Sequence, residues 1–101
     1  MLDEKRALDL IYAAVDEING QLPAGSRLQK RPDTVLLGDG AALDSLAFVN
    51  LLVAVEGEVE RAGGPAIGLL DELSRADDAG TPLRTIGTMA AHVAQTAKAA
   101  A

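Results

Sequence analysis

With 101 residues the chain has room for one domain, 1–101, built on one modest core. Apolar residues make up 49%, yet there is one Phe, one Tyr and no Trp, an Ala-, Leu- and Val-rich mixture that favours an all-α fold over a sandwich. The absence of cysteine excludes a disulfide framework and a thiolate metal site, and leaves any thiol chemistry to an added group.

The net charge of −6 is unevenly placed. Asp33, Asp39, Asp44, Glu56, Glu58 and Glu60 lie between residues 33 and 60 with no Lys or Arg among them, and acids and bases balance over the remainder. Such a field repels nucleic acid and anionic lipid and favours partners with basic docking surfaces. No apolar run reaches the roughly 18 residues of a membrane span, because Asn50 and Glu56 interrupt the best candidate. Residues 1–10 are charged from the third onward and lack a signal-peptide apolar core. The expectation is a soluble, cytoplasmic monomer with no membrane insertion.

Residues 3–19 place Ala7, Leu8, Ile11, Ala14, Val15 and Ile18 at helical spacing, and Asn19-Gly20 is read as a left-handed stop. From Gln21 to Leu43 there is no sustained periodicity, and Pro23, Gly25, Pro32, Gly38 and Gly40 punctuate the stretch. Loops of this length in small domains are usually functional or flexible. Val35-Leu36-Leu37 and Leu43 are expected to fold back onto the core. Arg27, Lys30 and Arg31 read as a solvated basic loop rather than a phosphate site.

A second helix runs from Ser45 to about Arg61 and carries two apolar stripes at 100° per residue. Phe48, Leu51, Leu52, Val55 and Val59 form the core face. Leu46, Val49 and Val53 fall on nearly the opposite side and are continued by Glu56, Gly57 and Glu60. A one-core domain needs one stripe only. The second is read as a partner surface, with packing on the preceding loop or covering a ligand as the other accounts.

Gly63-Gly64-Pro65 ends this helix, Ile67, Leu69 and Leu70 are expected to plug the core, and 71–76 reads as a short helix. Asp77-Asp78-Ala79-Gly80 reads as a turn rather than a cation site. Thr85 is the expected N-cap of a last helix over 86–97, with Ile86, Met89, Ala90 and Val93 inward and a fraying tail. The layout is a small helical bundle of three principal helices, one short helix and a long first loop, without internal repeats or strand pairing.

Autonomous catalysis finds little support. His92 is the only histidine, and Ser45 lies in no Gly-x-Ser-x-Gly elbow. One His and no Cys leave no transition-metal site of ordinary ligand count, and Gly38-Asp39-Gly40 lacks the rest of a phosphate-binding fingerprint. The protein is not expected to be an autonomous enzyme, and neither catalytic residues nor a metal are expected.

Ser45 stands where a helix start favours negative charge, so a phosphate ester on its hydroxyl would be accommodated there. The stretch LDSLAFVNLLVAVEGEVE resembles the attachment helix of acyl carrier proteins, small acidic helical domains that carry 4′-phosphopantetheine on the serine of an Asp-Ser-Leu motif. The likeness covers most of the chain, including the closing Pro82-Leu83-Arg84-Thr85-Ile86-Gly87-Thr88-Met89. It implies that a phosphopantetheinyl transferase loads Ser45 from coenzyme A within the motif Asp44-Ser45-Leu46. It implies further that the arm's thiol holds acyl or aminoacyl groups as thioesters, and that Leu46, Val49, Val53, Glu56 and Glu60 face the loading and processing enzymes. Fatty-acid carriers usually have acids where this chain has Ala47 and Asn50, which points to a specialised carrier in a dedicated pathway. The competing reading is an unmodified helical interaction module in which Ser45 only caps its helix.

Overall fold

Asp3 starts the first helix by turning its carboxylate back onto the chain, where Oδ1 accepts the Arg6 N–H at 2.8 Å. In the computed structural model, residues 3–37, 43–69, 71 and 83–100 are described, with Ser26, Ser45 and Ala100 described by backbone alone. Helix α1 spans Glu4–Asn19 and buries Ala7, Leu10, Ile11, Ala14, Val15 and Ile18. Leu10 joins this face, while Leu8 is only half-buried at its edge.

The stop of α1 differs from the expected left-handed one. Gly20 is right-handed, with φ −63°. The Gln21 and Leu22 N–H groups tighten the chain onto the Ile18 and Asn19 carbonyls, and Pro23 has no N–H with which to continue. The Asn19 side chain works elsewhere. Its Nδ2 donates to the Leu28 carbonyl at 3.0 Å and its Oδ1 accepts the Leu28 N–H at 2.8 Å, clasping the first loop to the helix end. Leu28 is thereby buried, just after a single 3-10 turn at Ala24–Ser26.

The far part of the loop folds back as expected. Leu36 is buried, and its N–H and that of Leu37 both donate to the Arg84 carbonyl, at 2.7 and 3.2 Å. The Ile86 N–H returns a bond to Thr34, and Val35 pairs with Thr85 in an isolated antiparallel bridge. This bridge is isolated and belongs to no strand, so among the described residues the chain has no strand pairing, as expected. A two-residue contact has no alternating pattern by which to be read.

Helix α2 spans Ser45–Arg61. Beyond Ala62, Gly63 takes φ 85°, its N–H donates to the Glu60 carbonyl at 3.0 Å, and the Gly64 N–H reaches the Val59 carbonyl at 2.9 Å. That pair of bonds is a Schellman stop, which requires the left-handed glycine. The chain then sends Ile67 and Leu69 into the core. The last helix, α3, spans Ile86–Ala100. Thr85 caps it: Oγ1 accepts the Thr88 N–H at 3.1 Å, while the Thr88 hydroxyl accepts the Thr85 N–H at 3.0 Å. This is a capping box with Thr in the place of Glu. The helix continues past the expected end at 97, because Ala97 packs on the core and the alanine-rich turn beyond it has high helix propensity.

Helix α1 lies between the other two and packs against both. Around it gather Phe48, Leu51, Leu52, Val55 and Val59 of α2 and Ile86, Met89, Ala90, Val93 and Ala97 of α3, all buried. The architecture is a small all-α bundle. Asp71 is helical, but the remainder of the short helix expected at 71–76, Leu70, the Asp77-Asp78 turn and Gly38-Asp39-Gly40 lie outside the described residues. Among the described residues no helix is long and apolar enough to cross a membrane.

Candidate functional site

The start of α2 is set by Asp44, whose backbone is extended (φ −78°, ψ 176°). Its Oδ1 accepts the Ala47 N–H at 2.8 Å and its carbonyl accepts the Phe48 N–H at 2.9 Å. Asp44 is therefore the N-cap, and Ser45 is the first helical residue. This corrects the reading in which Ser45 serves as the cap. The other amide groups of the first turn have no acceptor within the helix and make its end attractive to anions.

Below Ser45, the two stripes of α2 separate as their spacing predicts. The core stripe is buried throughout, whereas Leu46 is 71% exposed and Val53 is 53% exposed. Val49, between them, is half-buried. With Glu56 and Glu60 these residues occupy an arc of about 80° on the helix, adjoining Ser45. Burial under a partner would be worth at most about 1.5–3 kcal/mol for each aliphatic side chain, and least for Val49, which is already half-buried.

The acids of this stripe are not equivalent. Glu60 is exposed. Glu56 is half-buried, and one carboxylate oxygen accepts the Leu69 N–H at 2.9 Å, anchoring the chain that follows α2. The sequence pattern assigned it to the outward face, but its hydrogen bond gives it a structural task there. Glu58 pairs with Arg61 on the same helix. Gly57 and Asn50 add no charge, so the exposed stripe carries a weaker negative field than the count of acids suggests.

The basic residues of the first loop lie apart from this site. Lys30 pairs with Asp16 at 3.2 Å and Arg31 with Asp33 at 3.1 Å, both on the surface, while Arg27 is exposed without an ion pair among the described residues. His92 is half-buried on α3. No protein-family model, curated protein or solved structure matches the chain.

Proposed function

We propose that the chain is a carrier protein that bears 4′-phosphopantetheine on Ser45 and presents acyl or aminoacyl groups to the enzymes of a dedicated biosynthetic pathway. The observation that carries this reading is the division of labour at the start of α2. Asp44 makes the capping bond, which leaves Ser45 unnecessary for it at the head of an outward stripe containing exposed Leu46 and Val53. The resemblance of the Asp44-Ser45-Leu46 motif and its helix to those of acyl carrier proteins supports the same reading.

The residues suit the group. In the loading step the Ser45 hydroxyl oxygen bonds to the phosphorus attached to pantetheine, the pyrophosphate bridge of coenzyme A breaks, and adenosine 3′,5′-bisphosphate leaves. The serine proton passes to a base of the transferase. A phosphodiester on Ser45 would have the amide end of α2 to favour its charge and the neighbouring Asp44 carboxylate to oppose it. When bound, the arm supplies a terminal thiol for thioester chemistry that this cysteine-free chain lacks. Leu46, Val49 and Val53 provide the apolar contact for partner enzymes, and Glu60 provides a charge for their basic surfaces.

The test is incubation of the apo-protein with coenzyme A and a broad-specificity phosphopantetheinyl transferase, read by intact mass. One phosphopantetheine group is expected on the wild type and none on Ser45→Ala. No gain, or an equal gain on both proteins, refutes the proposal.

A further inference from the structure

A cleft of about 180 Å³ opens between the end of α1 and the first turns of α2. Ile18, Leu22, Leu46 and Ala47 give it apolar walls, and Gln21, Asn50 and Asp44 add polar groups. Its volume corresponds to about six water molecules. That is below the roughly 300–1,000 Å³ typical of pockets that take a free small molecule. A cleft this small takes a segment of a chain, and the segment must be held nearby by other means. A covalent tether does this, because it raises the local concentration of a weakly bound group to the millimolar range.

The polar groups restrict what the segment can be. The side-chain amides of Gln21 and Asn50 have no hydrogen-bond partner among the described residues, and each both donates and accepts. One oxygen of the Asp44 carboxylate is engaged by the Ala47 N–H, and the negative charge beside the cleft disfavours an anionic occupant. The fitting occupant is neutral, chain-like, amide-bearing and tethered close by.

We infer that the cleft seats an amide-bearing segment of the pantetheine arm on Ser45, with Asn50 and Gln21 hydrogen-bonding an arm amide. This rests on the proposed modification of Ser45. Beyond its phosphate the arm is a neutral chain with two secondary amides. Its attachment residue is flanked in sequence by Asp44 and Leu46, both of which line the cleft. On the helix, Asn50 and Ala47 lie beyond Leu46 from Val49 and Val53, about 60–120° around from the centre of that stripe. By the same spacing Ser45 lies on the other edge of the stripe, about 140–160° from Asn50 and Ala47, so the arm reaches the cleft around the head of α2 or across Leu46. Because Leu46 also walls the cleft, a seated arm covers the head of the stripe, and a partner that docks on Leu46 displaces it.

The experiment compares ¹H–¹⁵N spectra of the apo-protein and of protein converted with coenzyme A, with conversion verified by mass. The side-chain NH₂ groups of Asn50 and Gln21 and the backbone N–H of Leu22 are expected to shift, while Val59 and Val93 do not. Asn50 is exposed, so Asn50→Ala should fold and convert normally yet lose the shifts at Gln21 and Leu22. Conversion with shifts confined to residues 44–47, or shifts at Gln21 and Leu22 that persist in Asn50→Ala, overturns this inference and leaves the modification standing. Absence of conversion overturns both.

Discussion

Replacing Asp44 and Ser45 one at a time separates support of α2 from chemistry on it. Asp44→Ala removes the carboxylate that accepts the Ala47 N–H at 2.8 Å and leaves that amide without its partner. Loss of an N-cap typically costs about 1 kcal/mol, and loss of a negative charge at a helix start about 0.3–1 kcal/mol more. The two together predict a destabilisation of about 1–2 kcal/mol. For a domain of this size each kcal/mol lowers Tm by about 4–8 °C. Asp44→Asn keeps the acceptor and loses the charge, so it should retain most of the stability. Ser45→Ala exchanges one helical residue for a better helix former and should stay within about 0.5 kcal/mol of wild type. Urea unfolding followed by circular dichroism at 222 nm measures all three. A cost above 1 kcal/mol for Ser45→Ala, with none for Asp44→Ala, would refute the assignment of the cap.

Three further substitutions test how the loops are held. A Cβ on Gly87 would lie 2.9 Å from the Pro32 carbonyl oxygen, which also accepts the Gly87 N–H at 2.7 Å. Gly87→Ala should therefore push the first loop off α3 and cost about 1–3 kcal/mol in a urea melt, despite the better helix propensity of Ala. Asn19→Ala removes both hydrogen bonds to the Leu28 backbone, so a loss of about 1–3 kcal/mol and faster amide exchange at Leu28 are expected. Glu56→Ala frees the Leu69 N–H and should speed hydrogen exchange at Leu69 at least several-fold, whereas Glu60→Ala, on the exposed side, should leave it unchanged.

What could be read from the sequence was local and periodic. The five core residues of α2 are all buried, as are Ile86, Met89, Ala90 and Val93 of α3, because a helix fixes the spacing of its own face. The return of Leu36 to the core was also legible, from an apolar run in an otherwise polar loop. The burial of Leu28 and Leu83 is not legible in the sequence, since it depends on contacts between distant segments and neither residue belongs to a periodic pattern. The Asp44 cap is a subtler case. Asp and Ser are both good caps, and the extended backbone of Asp44 distinguishes them, not the residue types. Glu56 shows the same limit: its position on α2 was evident from spacing, whereas its bond to Leu69, 13 residues away, was not.

The central claim concerns one side chain, and trypsin isolates it. Cleavage after Lys30 and Arg61, with the bond between Arg31 and Pro32 resistant, releases residues 31–61, in which Ser45 is the only serine. Mass spectrometry of this peptide, from protein purified out of its native cells, should find phosphopantetheine on Ser45, free or bearing a thioester. A peptide wholly unmodified at Ser45, or an arm attached at another residue, would contradict the account.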